Sequence, residues 1–373
     1  MNQPNEQATQ VIQNAQPGPA QGAYQAYHPA YPAYPAYAPV PQPAAPAFAQ
    51  RLKDPRKSGA LRTLNTMGLV MVAQTALSLL LQLGVMMALA AGGIDLYGDN
   101  MGLVMLSIGL SAVCTTAPSL TYMLAGRRDW NFHLRFGGAG FLGCLLAVLA
   151  GLGVCMAANI PAGMLSELLK DMGASEAGNV LGQGSGWVSF AAEFLGVAVM
   201  VPVLEEFAFR GVILSGLRRY GTGFAIVCSS VIFGMAHMSA SSVVFATIAG
   251  LAMGTAYVLT GNLWVSVTIH ALNNGISIVE SYSGLFVGEG PGRQEMLSGL
   301  TMLIVCAVGL LALVLVIAFR GWLFPKREPV APADGVLYAP LRAGETAVTM
   351  LKSVVLWAIL AMVLVETAMT FVI

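Results

Sequence analysis

Nine runs of about twenty apolar residues follow one another between residues 67 and 372, and few architectures can absorb them. They cover about 67–91, 102–125, 137–160, 187–212, 222–239, 242–260, 264–285, 297–319 and 353–372. A helix that crosses a bilayer needs about 20 such residues. The fifth and sixth runs are short and abut at Ser239–Ser242, so the expected count is eight or nine. Only 10% of the 373 residues are charged, against about 25% in an average soluble domain. The mean hydropathy of +0.71 agrees. A soluble chain this poor in charge would expose large apolar patches and aggregate. These figures exclude a soluble globular enzyme and a disordered or disulfide-built secreted protein. The expected fold is an all-α polytopic membrane protein.

The five cysteines are odd in number and all lie in apolar runs, so they read as packing residues. A net charge of zero argues against a nucleic-acid partner.

Four segments are expected. Residues 1–50 form a Pro/Tyr/Ala-rich tail with one charge, Glu6, and a repeat carrying Tyr24, Tyr27, Tyr31, Tyr34 and Tyr37. Proline at that density blocks helix and sheet ladders, so a disordered tail with polyproline II character is expected. The tail lacks the basic start and apolar core of a signal peptide. It could dock an unknown partner or serve only as a solvated arm. Residues 51–180 hold the N-terminal membrane helices, 181–290 a catalytic membrane core, and 291–373 the C-terminal helices.

Basic residues orient the spans. With the tail cytoplasmic, the inside connections hold Arg127, Arg128, Arg135, Arg218, Arg219, Arg320, Lys326, Arg327, Arg342 and Lys352, whereas the outside ones hold only Lys170 and Arg293. The N-terminus is therefore expected inside and the C-terminus outside a cell membrane crossed many times. One outer connection, 164–172, follows Pro161 and places Leu165, Leu168, Leu169 and Met172 on one helical face. A short separate helix lying in the interface is expected there.

Ionisable residues inside a bilayer are functional candidates by default, since each costs at least ~2.5–3.5 kcal/mol to insert. The fourth run contains Val201-Pro-Val-Leu-Glu-Glu-Phe-Ala-Phe-Arg-Gly211. Glu206 and Arg210, four apart, share a helix face and can pair. Glu205 is turned by about 100° from Glu206 and is left over. The fifth run carries Phe233-Gly-Met-Ala-His237 and the seventh His270-Ala-Leu-Asn-Asn274. At 1.5 Å per residue, all of these fall around the midplane of a ~30 Å core and can converge.

Such a set offers no serine or cysteine nucleophile with an obvious base; it suits activation of water. Glu205 would be the general base. His270 and Asn274 would donate to a developing oxyanion, and Glu206 held by Arg210 would orient them. Alternatively, Glu205, His237 and His270 would ligate a catalytic zinc ion with one open position.

Glu-Glu-x-x-x-Arg at 205–210, Phe-x-x-x-His at 233–237 and His-x-x-x-Asn at 270–274, in that order, resemble the three motifs of the CAAX-protease and bacteriocin-processing (CPBP, or Abi) intramembrane protease family. The resemblance covers about 187–285. It implies that Glu205 and His237 activate water, that His270 and Asn274 stabilise the oxyanion, and that the enzyme is a metallopeptidase acting on a membrane-associated protein or peptide.

Other readings of the same residues stand beside it. Intramembrane acids and histidines also build the proton relays of coupled transporters. Some members of such families serve as bacteriocin-immunity or scaffold proteins without catalysis. Glu193 and Glu280, near span ends, are expected to be hydrated or in structural hydrogen bonds. Glu366 is expected at a helix contact, and Gly211 and Gly234 at close packing.

Overall fold

The computed structural model describes residues 54–93, 101–175, 186–288, 292–324 and 336–372; the tail assigned to 1–50 lies outside them. All regular structure among the described residues is helical, apart from one isolated bridge between Phe136 and Asn262. The principal helices are α1 (Pro55–Ala91), α2 (Met101–Ala125), the single turn α3 (Trp130–His133), α4 (Phe141–Asp171) and α5 (Gly186–Tyr220). They are followed by α6 (Thr222–Met235), α7 (Ala240–Thr260), α8 (Leu263–Ser281), α9 (Arg293–Ala318), α10 (Ala343–Leu351) and α11 (Val354–Met369).

Each of the nine apolar runs lies largely in a helix. Six helices are long and apolar enough to cross a membrane, or seven if α10 and α11, bent by 67°, form one span. This falls below the eight or nine expected, for two local reasons. Helix α6 has 14 residues, about 21 Å at 1.5 Å per residue, which is shorter than a hydrocarbon core. Helix α8 interleaves His270, Asn273, Asn274 and three serines with its apolar residues, and this lowers its hydropathy. The chain is a multi-pass membrane protein of helices.

Residues 164–171 do not form a separate interfacial helix. They continue α4 without a break, with Pro161 inside it. A proline removes one backbone donor. Just before it, the Asn159 side chain donates to the carbonyls of Met156 and Cys155, at 3.2 and 3.4 Å. Neither bond reaches Ala157 O, the carbonyl four residues before the proline that loses its helical donor.

Local sequence signals explain the helix ends. The Asp54 side chain accepts from Arg56 N at 3.0 Å, with Pro55 in the first turn of α1. Asn262 accepts from Trp264 N at 3.0 Å and starts α8. Gly261, at φ +64°, ends α7 in the left-handed conformation that favours glycine. Within α5, residues Phe194–Met200 and Phe207–Leu214 have the wider π register on either side of Val201–Glu206. Pro202 cannot donate to the turn before it, and the first widened turn ends directly ahead of it.

The helices close on one another through glycines. A Cβ on Gly153 of α4 would lie 2.6 Å from Gly309 Cα of α9, so these two backbones cross in contact. A Cβ on Gly250 of α7 would lie 3.1 Å from Ser230 Cα of α6.

The three basic connections that the sequence places inside meet at one end of the bundle, with Gly261 and Asn262 beside them. Leu263 N donates to Arg135 O at 2.7 Å, Tyr338 N to Arg219 O at 2.9 Å, and Leu341 N to Tyr220 O at 3.0 Å. The start of α1 joins them, with Arg56 2.8 Å and Lys57 2.9 Å from Glu345 of α10. Beyond the far end of α4, Ser175 N donates to Thr370 O at 2.7 Å, next to the end of α11.

Candidate active site

The site is built where α5, α6 and α8 meet, and its base is a buried ion pair. Glu206 and Arg210 are 0% and 1% exposed, and Arg210 Nη1 lies 2.7 Å from Glu206 Oε1. This is the i,i+4 pair expected from the sequence. Two further contacts hold the guanidinium: Arg210 Nη2 donates to Gly250 O at 3.4 Å, and its Cζ lies 4.4 Å from the centre of the Phe233 ring. A buried charge is tolerable only when paired and hydrogen-bonded, and each of these contacts serves that end.

His270 joins the pair to the second glutamate. Its Nδ1 lies 3.0 Å from the same Glu206 Oε1. A carboxylate can only accept, so Nδ1 carries the proton and donates. The other ring nitrogen, Nε2, lies 3.8 Å from Glu205 Oε2. Glu205 thus faces the opposite edge of the imidazole from Glu206, at a distance too long for a hydrogen bond. Glu205 is the more accessible of the two, with 21% of its side chain exposed.

His237 lies on the turn that follows α6 rather than inside a span, because the helix ends at Met235. Its Nδ1 donates to Phe233 O at 2.9 Å, which leaves Nε2 as an acceptor. The next residue, Met238, has φ +63°, a left-handed conformation that costs a side-chain-bearing residue about 1–2 kcal/mol. Strain of this kind concentrates at functional sites. The Phe233 ring stands edge-on to both imidazoles, with centroids 4.9 Å from His237 and 5.8 Å from His270.

His237, His270, Asn273 and Asn274 line one small cavity of about 40 Å³, enough for one or a few water molecules. Asn274 Nδ2 donates to Val197 O in the first π turn at 3.0 Å, so one of its two amide hydrogens is engaged there. Asn273 is the residue that the sequence reading passed over. It is buried, and its Oδ1 has no hydrogen-bond partner among the described residues. The signal was its place beside Asn274 in the His-x-x-Asn-Asn run. Among residues read as structural, Glu193 is fully buried and accepts from Tyr282 OH at 2.8 Å. Gly211 and Gly234 are packing positions: a Cβ would meet Leu134 Cδ2 at 2.6 Å in the first case, and Val243 O at 2.8 Å and Thr247 in the second.

The tautomers leave Nε2 of both histidines available to a metal, as a supporting acceptor on Nδ1 ordinarily does. The side chains do not converge for that purpose, however. No group of three or more His, Cys, Asp or Glu among the described residues could hold a metal ion. The expected zinc set of Glu205, His237 and His270 does not fit as arranged, and no step below passes through a metal.

Residues 187–276 match the family model described as type II CAAX prenyl endopeptidase Rce1-like. All six expected site residues fall within the match. An 83-residue stretch is 30% identical to the Bacillus subtilis (strain 168) protein named "Putative membrane peptidase YdiL", covering 22% of this chain and 34% of that protein. The chain thus matches about a third of the length of that curated relative. No solved structure matches the chain. The family-model match and the named relative agree with the resemblance carried by the three motifs: over residues 187–276 the chain is similar to Rce1-like CAAX endopeptidases.

Proposed function

We propose that the chain is an intramembrane endopeptidase that hydrolyses a peptide bond of a membrane-associated protein or peptide with a water activated by Glu205. Glu205 takes a proton from water as the hydroxide adds to the scissile carbonyl carbon. His237, fixed with Nε2 as an acceptor, orients that water. His270, when protonated on Nε2 as well, donates to the oxyanion together with the free amide hydrogen of Asn274. Glu206 stabilises the imidazolium and fixes the ring, and Arg210 neutralises Glu206. When the tetrahedral intermediate collapses, the C–N bond breaks and the Glu205 proton passes to the leaving amine.

The observation that carries this reading is the position of His270 between Glu206 and Glu205, beside a water-sized cavity, inside the segment that matches a peptidase family. We place the enzyme in the cell membrane with residue 54 on the cytoplasmic side and Thr370 outside. The gathering of the basic connections at one end supports this.

Purified full-length protein in detergent should cleave members of a library of membrane-derived peptides, and Glu205→Gln should lower kcat by about 10²–10⁴. Equal cleavage by the variant would end the peptidase reading and leave a proton relay as the use of the same residues.

A further inference from the structure

A second polar cavity, of about 420 Å³, opens at the end of the bundle where α1 begins. Its wall carries four arginines: Arg62 from α1, Arg127 and Arg128 from the connection after α2, and Arg219 from the end of α5. Asp129 is the single carboxylate in the lining among the described residues, and its Oδ1 is occupied in accepting from Asn131 N at 2.9 Å. Arg62, Arg127 and Arg128 form no ion pair with a carboxylate among the described residues. Thr63, Thr66 and Tyr122 add hydroxyl groups. Arg62, Arg127 and Arg128 thus bring three like charges to one hollow, and these repel each other unless an anion joins them.

The backbone is strained to hold one of these arginines. Gly126, Arg127 and Arg128 close α2 in a Schellman turn, with Arg127 N donating to Leu124 O at 3.1 Å and Arg128 N to Met123 O at 2.9 Å. Arg127 takes the left-handed position at φ +45°, where a helix ordinarily ends in glycine. A glycine there would end the helix without cost and without a charge.

We infer that this cavity binds a phosphate-bearing anion, held by the guanidinium groups of Arg62, Arg127 and Arg128. Guanidinium forks suit phosphate oxygens, which accept paired charge-assisted hydrogen bonds. The phosphate can belong to an anionic lipid of the facing leaflet or to a free phosphate compound. Basic pockets between membrane helices hold lipid headgroups in this way. The site uses none of the residues proposed for catalysis and does not depend on the peptidase reading.

The test uses the full chain in detergent with inorganic phosphate, titrated against chloride at matched ionic strength, and read as the thermal unfolding midpoint. In parallel, native mass spectrometry after extraction from vesicles counts retained phosphatidylglycerol against phosphatidylcholine. A saturable rise with phosphate, or selective retention of phosphatidylglycerol, is expected. Arg62→Gln/Arg128→Gln should weaken the half-saturation or retention by at least about tenfold. Arg127→Gly should weaken it too while raising the midpoint of the unliganded protein, a combination that misfolding cannot produce. A response to both probes marks free phosphate as a sufficient ligand; phosphatidylglycerol retention alone marks the lipid. No saturable response to either probe, an equal response to chloride, or undiminished binding in both variants would overturn the inference.

Discussion

His270 Nδ1 lies 3.0 Å from Glu206 Oε1, the oxygen that also receives Arg210 at 2.7 Å. One carboxylate oxygen thus sets both the tautomer of the histidine and the charge balance of the arginine. Removing either donor changes what the carboxylate does for the other.

Arg210→Gln should destabilise the protein by about 3–5 kcal/mol, because it leaves Glu206 ionised, buried and short of its counter-charge. The double variant Glu206→Gln/Arg210→Met should recover most of that loss, since neither charge then remains inside. It should not recover cleavage, because His270 no longer has a carboxylate behind it. Thermal midpoints in detergent and peptide cleavage separate the two effects.

The two asparagines should differ. Asn274→Ala removes a proposed oxyanion donor and should lower kcat by about 10²–10³ with little change in KM. Asn273→Ala leaves that donor in place and enlarges the cavity, so its kcat should fall less. Steady-state kinetics on one peptide checks the order, and a reversed order would move the oxyanion role to Asn273.

If Glu205 activates water without a metal, overnight exposure to a millimolar chelator should leave cleavage within about twofold of the untreated enzyme. The argument rests on the donors, since no three of them are gathered to hold an ion. Loss of activity restored by zinc would require His237, His270 and Glu205 to close together around it.

Stability should fall on mild acidification because of His133, in the connection between α2 and α4. Burial pushes its imidazole below its ordinary 6.5, with the hydrogen bond to Gly211 O opposing the shift. A lowered folded value means stability that is present above 6.5 and lost as pH falls through the folded value. His133→Asn keeps an N–H for Gly211 O and should flatten the change in unfolding midpoint between about pH 7.5 and 5.5. Glu345 does not titrate in that window. The backbone N–H of Arg342 and the Lys57 ammonium hold it down to about 2, so its contribution, present above 4.5, is lost only in stronger acid.

Gly234→Ala should cost about 1–3 kcal/mol, because the new methyl would lie 2.8 Å from Val243 O and against Thr247. The strain falls one residue from Phe233 and three from His237, so cleavage should drop alongside the unfolding midpoint. Thr247→Ala in the same chain should return part of both.

What could be read from the sequence follows the reach of its interactions. Glu206 and Arg210 are four residues apart on one helix, and helix geometry alone pairs them. His270 is 64 residues from Glu206, and only the packing of α8 against α5 shows that it bonds Glu206 and turns its other edge toward Glu205. Residue spacing sets Glu205 about 100° from Glu206, which is sound as rotation, but rotation says nothing of a third helix filling the space between. Asn273 was passed over because spacing within a motif selects Asn274, whereas burial without a partner belongs to the folded state. The run after Pro161 misled because proline breaks helices in water, where a freed carbonyl can be solvated; inside apolar surroundings the helix is the only refuge for its neighbours. The wider turns around Pro202 had no sequence signal beyond the proline itself.

The left-handed turn at Met238 has a mechanical consequence. His237 stands on the elbow between α6 and α7, so the aim of its Nε2 is set by backbone torsion at the joint as well as by its own side-chain rotamer. The two helices are the arms of a pair of pliers, and under the proposed mechanism a force that spread them would swing the imidazole off the water it orients.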